Sequence, residues 1–201
     1  MYLSGDAEAD ELLARDPFAL LIGMVLDQQV PLERAFAAPA ALKERLGQLD
    51  PQRIAAMNLG ELEGAFAQKP ALHRFPSSMA ARVQQVALVL VERYGGDAAA
   101  LWSDAPDGAT LLQRLRALPG FGAQKAKIFL ALLAKQLGVT PTGWQEACAP
   151  YGESGAFYSV ADIDSAESLA RVREHKREMK AAAKSVARLE SSGTLPRRVR
   201  R

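Results

Sequence analysis

Leu118-Pro119-Gly120-Phe121-Gly122-Ala123-Gln124-Lys125-Ala126-Lys127-Ile128-Phe129 is the stretch whose reading decides the fold of this chain. Pro119 stops a helix predicted over Gly108–Ala117, and Gly120 and Gly122 permit backbone conformations closed to other residues. A second helix starts at once at Ala123 and runs to Leu137, where Gly138 ends it. Helix, tight turn and helix therefore fill residues 108–137. The turn presents several backbone N–H groups beside a helix N-terminus, which draws a phosphate oxygen by hydrogen bonds and by the helix dipole. Gly-x-Gly alone would be weak, because many helical hairpins turn on glycine simply to pack closely.

Upstream, Asp16-Pro17 is a strong helix start: Asp caps, Pro fits the first helical position, and Leu20, Leu21, Met24 and Val25 recur at helical spacing. A second helix is predicted from Pro31, bent or broken at Pro39, with short helices at Pro51–Met57 and Glu61–Ala67. Ser77 and Ser78 can cap a long amphipathic helix through Val83, Val86, Leu90 and Val91, stopped by Gly95-Gly96. Downstream, residues 138–159 carry Pro141, Gly143, Pro150, Gly152 and Gly155 and read as one long inserted loop. A last helix spans about 165–190, with Leu169, Val172, Met179, Ala183 and Val186 on one face and cationic side chains on the others. No segment reads as a strand. The expectation is an all-α protein of two helical lobes: one domain over 1–192, then a loose basic tail at 193–201.

Composition agrees. Hydrophobic residues make up 49% and charged residues 24% of 201, which excludes a disordered chain and allows a sizeable core. The lone Cys148 excludes an intrachain disulfide, a four-cysteine iron–sulfur cluster and a cysteine-rich zinc site. The acidic start is unlike a signal peptide and no apolar run is long enough to span a bilayer, so a cytoplasmic, nucleoid-associated location is expected. The net charge of +2 hides an asymmetry, for residues 171–201 hold eleven Lys/Arg against three Asp/Glu. A basic end on an acidic body points to an anionic partner, or to nothing more than a solvated helix.

Beyond Gly-x-Gly, the hairpin pattern includes Leu115, Leu118, Pro119, Ala126 and the apolar Ile128, Phe129, Leu132 and Leu133. It closely resembles the helix-hairpin-helix (HhH-GPD) superfamily of base-excision DNA glycosylases, which includes endonuclease III and the alkyladenine glycosylases. The likeness extends to Leu21–Gln29 (L-I-G-M-V-L-D-Q-Q) and to Phe75–Tyr94, and covers roughly Asp16 to Val172. It implies a two-lobed helical glycosylase that acts on double-stranded DNA with a damaged base as a monomer. The hairpin, with Gly120, Phe121, Gly122, Gln124, Lys125 and Lys127, would hold the DNA backbone. Gln29, with Gln28 as second choice, would fill the gap left by the extruded base; both also fit as exposed residues ending an apolar helix. No cofactor is implied beyond a monovalent cation on hairpin carbonyls. His73 and His175 are too few and too far apart for a metal site.

Two departures matter. Bifunctional members carry a lysine nucleophile where this chain has Gln124, and Lys125 is turned about a hundred degrees around the helix. A monofunctional enzyme without lyase activity is expected. The family's essential aspartate would fall at Thr142, and the nearest match lies past an apparent insertion, at Asp162 or Asp164 in Ser159–Ser165. A carboxylate there would stabilise the positive charge that builds on the sugar and position a water. Helix capping explains Asp164 and Ser165 well and Asp162 less, which favours Asp162. The insertion also concentrates Trp144, Tyr151, Phe157 and Tyr158. Trp144, Tyr151 and Tyr158 are candidates to stack on an extruded base, against the stronger reading that these rings staple the loop to the body. Alkylated bases are the first expectation for the substrate. A non-catalytic protein binding distorted or damaged DNA is the rival.

Overall fold

The computed structural model describes residues 1–191, with side chains through Ser185. Eleven helices and one 3-10 turn follow one another among these residues, without a strand. The tail at 193–201, and the side chains of Val186 and Arg188, lie outside the described residues.

Helices α1 (Ala7–Arg15), α2 (Pro17–Leu26), α3 (Leu32–Leu46), α4 (Pro51–Ala56), α5 (Leu59–Ala67) and α6 (Pro76–Tyr94) pack mainly on one another. A second set comprises α7 (Ala100–Ser103), α8 (Gly108–Arg116), α9 (Ala123–Leu137), α10 (Trp144–Ala147), a 3-10 turn (Val160–Asp162) and α11 (Ala166–Ser191). One continuous apolar core, from Leu3 to Val172, joins both.

At the centre lies α2. The Asp16 carboxylate caps it, accepting from the amides of Phe18 at 2.9 Å and Ala19 at 3.0 Å, and Pro17 takes the first position. Every residue from Phe18 to Leu26 is buried. A helix apolar all round has no solvent face to offer and is driven to the middle of the molecule. Its last turn therefore ends deep inside, which is what places the functional groups below.

Most elements fall where expected, and the differences are local. α3 runs through Pro39, which is buried within it. α6 starts at Pro76 without a side-chain cap, so neither Ser77 nor Ser78 caps it; proline's fixed φ suits the first helical position. The 138–159 insertion holds a one-turn helix, α10, packed so closely on α8 that a Cβ on Gly108 would lie 2.5 Å from Trp144 Cα. On α11 the apolar face buries Val172 but leaves Met179 58% exposed, because nothing among the described residues covers the helix beyond that point. The acidic N-terminus, which could have completed one lobe together with the C-terminal helix, forms α1 and packs instead on α2 and α3.

Candidate active site

The hairpin turn is built by one glycine more than the other. Gly120 has φ +84°, a conformation that costs any side chain strain, and a Cβ there would also meet the Arg82 side chain at 2.5 Å. Gly122 has φ −71° and ψ 169°, ordinary extended backbone, and a Cβ on it would meet nothing within 4 Å. The expectation that both glycines need special dihedrals holds for Gly120 alone. Gly122 is the uncapped N-terminal residue of α9, so the first amides of that helix face outward over an unobstructed surface. Phe121, between them, turns its ring into the core against Phe129 and is 4% exposed. Its amide donates to Leu118 O at 3.1 Å, so neither its ring nor its N–H is open to a ligand.

Lys125 turns toward the other lobe. Its Nζ donates to Met24 O at 2.6 Å and Val25 O at 3.3 Å, the carbonyls left open at the C-terminus of α2. Burial lowers its pKa to about 8; Asp27 opposes the shift and Arg82 adds to it. Lys127 reaches Ala149 O at 3.0 Å, in the insertion. Gln124 is exposed and donates to the Tyr151 hydroxyl at 2.9 Å.

The chain leaving α2 forms a tight turn. Gln28 Nε2 folds back onto Val25 O at 2.7 Å and the Met79 sulfur at 3.3 Å, so its side chain serves the turn. Gln29 is exposed, with φ +56°, the only non-glycine residue at positive φ among those described. Such a conformation costs of order 1 kcal/mol and persists only where the surroundings impose it. His73 imposes part of it. The Phe75 amide donates to Nδ1 at 3.1 Å, so Nε2 bears the proton and donates to Gln28 O at 2.9 Å. Burial, its first cause, holds the His73 pKa below the ordinary histidine value.

Between Lys125, the end of α2, the insertion and α11 opens a cleft of about 670 Å³. Met24, Asp27, Tyr151, Tyr158, His175 and Lys176 line it together with Lys125. Asp27 is the residue that sequence reasoning missed. It caps the C-terminus of α2 through its amide, donating to Gly23 O at 3.0 Å, and its half-buried side chain faces the cleft. No protein group among the described residues donates to its carboxylate. Burial raises its pKa above the usual carboxylate value, against the attraction of Lys176 and Lys125. The one signal was its place in Leu26-Asp27-Gln28, a carboxylate directly ending a wholly apolar helix.

Asp162 and Asp164 lie elsewhere. Asp162 pairs with Lys135 at 2.6 Å and accepts from the amides of Tyr158 at 2.9 Å and Ser159 at 3.0 Å, with 3% of its side chain exposed. Ser159 accepts in return from Ala161, a reciprocal cap that closes the 3-10 turn. Asp164 is exposed and accepts from the Ser168 hydroxyl at 2.9 Å; that bond, with one from Ser165, lowers its pKa. Both line a separate groove beside Lys135 and Trp144. Lys135 is ten residues beyond Lys125, about 15 Å along α9. Of the candidate rings, Tyr151 and Tyr158 reach the cleft and Trp144 does not; Phe157 stacks under the Arg171 guanidinium. No group of three or more His, Cys, Asp or Glu gathers as a metal site among the described residues. Cys148 is buried, and burial pushes its thiol up to about 11.

An all-α fold, a glycine hairpin open to a phosphate and a cleft beside it define a helix-hairpin-helix DNA-repair class. Residues 22–191 match the family described as HhH-GPD superfamily base excision DNA repair protein. The match covers most of the chain, and the protein belongs to that superfamily, whose members are DNA glycosylases acting on DNA. No curated protein and no solved structure matches the chain.

Proposed function

We propose that this protein is a monofunctional glycosylase that hydrolyses the N-glycosidic bond of a damaged base, N-alkylated purines first, in duplex DNA. The observation that carries this reading is the cleft itself, which opens beside the first turn of α9 at Gln124 and Lys125 and the end of α2 at Asp27, two residues before Gln29. A duplex held by its backbone at Gly122 would present one nucleotide to the cleft, with Gln29 free to enter the vacated stack. Tyr151 and Tyr158 offer faces for a flat base, and a volume of about 670 Å³ is ample for one nucleotide. Stacking on electron-rich rings favours a cationic base, which suits an alkylated purine.

Lyase chemistry has no support at Gln124, which carries no amine. Lys125 enters the cleft, but its Nζ is held by two carbonyls and stays mostly protonated at neutral pH. Borohydride treatment of the protein with an abasic duplex should therefore trap no covalent complex.

A binder of distorted DNA that does not cut remains the second reading, favoured by one observation: Asp162 and Asp164, the nearest match to the family's aspartate, are tied up in caps and an ion pair. A panel of lesion-bearing duplexes, scored for abasic product by alkaline cleavage, separates the two. Release of at least one damaged base supports the enzyme; tight binding of lesions with no abasic product supports the binder.

A further inference from the structure

We propose that Asp27 is the carboxylate that faces the sugar of the extruded nucleotide, with Lys125 as the residue that positions it. This assignment rests on the glycosylase reading above, and it deepens that reading by moving the chemistry from the segment after the hairpin to the end of the central helix.

Three observations converge on Asp27. First, it is the carboxylate that lines the cleft, together with the two tyrosines suited to hold a base. Second, its oxygens accept from no protein donor among the described residues, whereas Asp162 accepts from two amides and an ammonium. An unpartnered, half-buried carboxylate keeps its lone pairs for a ligand, and one closed in by three donors does not. Third, the element beneath it is rigid. α2 is buried along its length, and Lys125 fastens its last carbonyls to the first turn of α9, the helix whose amides would hold the phosphate. Asp27 thus sits at a fixed distance from the hairpin, as a group acting on a sugar beside a held phosphate must.

The step balances with water as the only co-reactant. The C1′–N bond breaks and its electron pair leaves with the base, so a cationic N-alkylated base departs neutral. Positive charge builds on the sugar, where the Asp27 carboxylate stabilises it. The water oxygen then bonds to C1′, and the water proton passes to Asp27 and from there to solvent. Lys125 touches none of the reacting atoms. Its positive charge, together with that of Lys176 on α11, keeps Asp27 ionised to lower pH than burial alone would allow.

The test compares wild type, Asp27→Asn and Lys125→Gln as full-length proteins, with folding checked by circular dichroism. Two readouts are used: excision of an alkylated base against pH, and binding of duplexes carrying a cationic pyrrolidine or a neutral tetrahydrofuran in place of the sugar. Asp27→Asn should lose about a hundredfold to a thousandfold in excision. It should also lose a preference of about tenfold or more for the cationic analogue, while holding the neutral one as wild type does. Lys125→Gln should retain part of the rate but move the acid limb of the pH profile upward, a shift that a purely structural lysine would not cause. Excision and cation preference both surviving in Asp27→Asn overturn the assignment, and an acid limb that stays put in Lys125→Gln overturns the positioning role. Wild type that releases no base from any lesion overturns the glycosylase reading instead. The analogue pair still decides Asp27 in that case: a preference lost with Asp27 keeps it as the sugar-facing charge, and equal binding of the two analogues removes it.

Discussion

At the scale of single residues, the two hairpin glycines separate folding from binding. Gly120 sits at φ +84° against the Arg82 side chain, so Gly120→Ala must pay left-handed strain and displace a long side chain, and should lower stability by about 1–2 kcal/mol. Gly122 is compatible with alanine in φ and meets nothing, so Gly122→Ala should leave thermal stability unchanged or slightly raised. Its methyl group would nonetheless stand where a DNA strand approaches, and binding to every duplex sequence should weaken. Melting curves and duplex titrations of both variants check this; a Gly122→Ala protein that binds as wild type does would take the hairpin out of the DNA interface. His73 supplies a pH dependence. Its pKa is lowered in the folded protein, so the unfolded chain binds the extra proton more readily. The contribution is complete above the unfolded value of 6.5 and is lost as pH falls through that value toward the folded pKa. Protonation would also set an Nδ1–H against the Phe75 amide and break that bond, while Nε2 goes on donating to Gln28 O. Denaturant midpoints should therefore drop from pH 7 to pH 5, and a His73→Gln variant should drop less.

At the scale of elements, the helices were legible because their signals are local. Asp16-Pro17 and Gly138 announce the ends of α2 and α9 in the residues that form them. The Ser159–Ser165 segment was not legible in the same way, because an aspartate that caps and an aspartate that catalyses follow the same apolar residues and precede the same helix. Only the partner decides, and Lys135 lies 27 positions away in sequence. The 3-10 turn that Asp162 closes holds the insertion against α9. Asp162→Ala would take the counter-charge from a mostly buried Lys135, leaving it the Glu153 carbonyl, and would leave two amides without their acceptor, at a cost of about 3 kcal/mol or more. That corresponds to a fall in Tm of about 10 °C for a chain this size, measured by circular dichroism or calorimetry. An unchanged Tm would free Asp162 from the structural role and reopen its candidacy for chemistry.

At the scale of the whole molecule, the family and its two lobes could be read from one hairpin and two helix patterns, but the cleft could not. Asp27, Tyr151 and Lys176 belong to three segments, and no spacing rule brings them together; the folded chain does, with Lys125 of α9 tied to the last carbonyls of α2. The basic end of the chain gains meaning only on this scale. Arg173, Arg177, Lys180 and Lys184 recur at helical spacing along one exposed side of α11, about 16 Å from first to last. Lys176, one turn along the helix, already lines the cleft, so the stripe begins where a bound nucleotide would lie and runs away from it. A duplex seated on the hairpin would find there a row of cations matched to its phosphates, while the acidic remainder of the body repels it elsewhere. Each such contact releases condensed counterions and contributes about 0.9 to the slope of log affinity against log salt. Arg177→Gln, Lys180→Gln and Lys184→Gln combined should therefore flatten that slope by about 2 to 3, and should weaken lesion-bearing and undamaged duplexes alike. The side chains concerned are exposed, so Tm should hardly move. A slope that the triple variant leaves unchanged would mean that α11 is a solvated helix and that the phosphate contacts all lie at the hairpin.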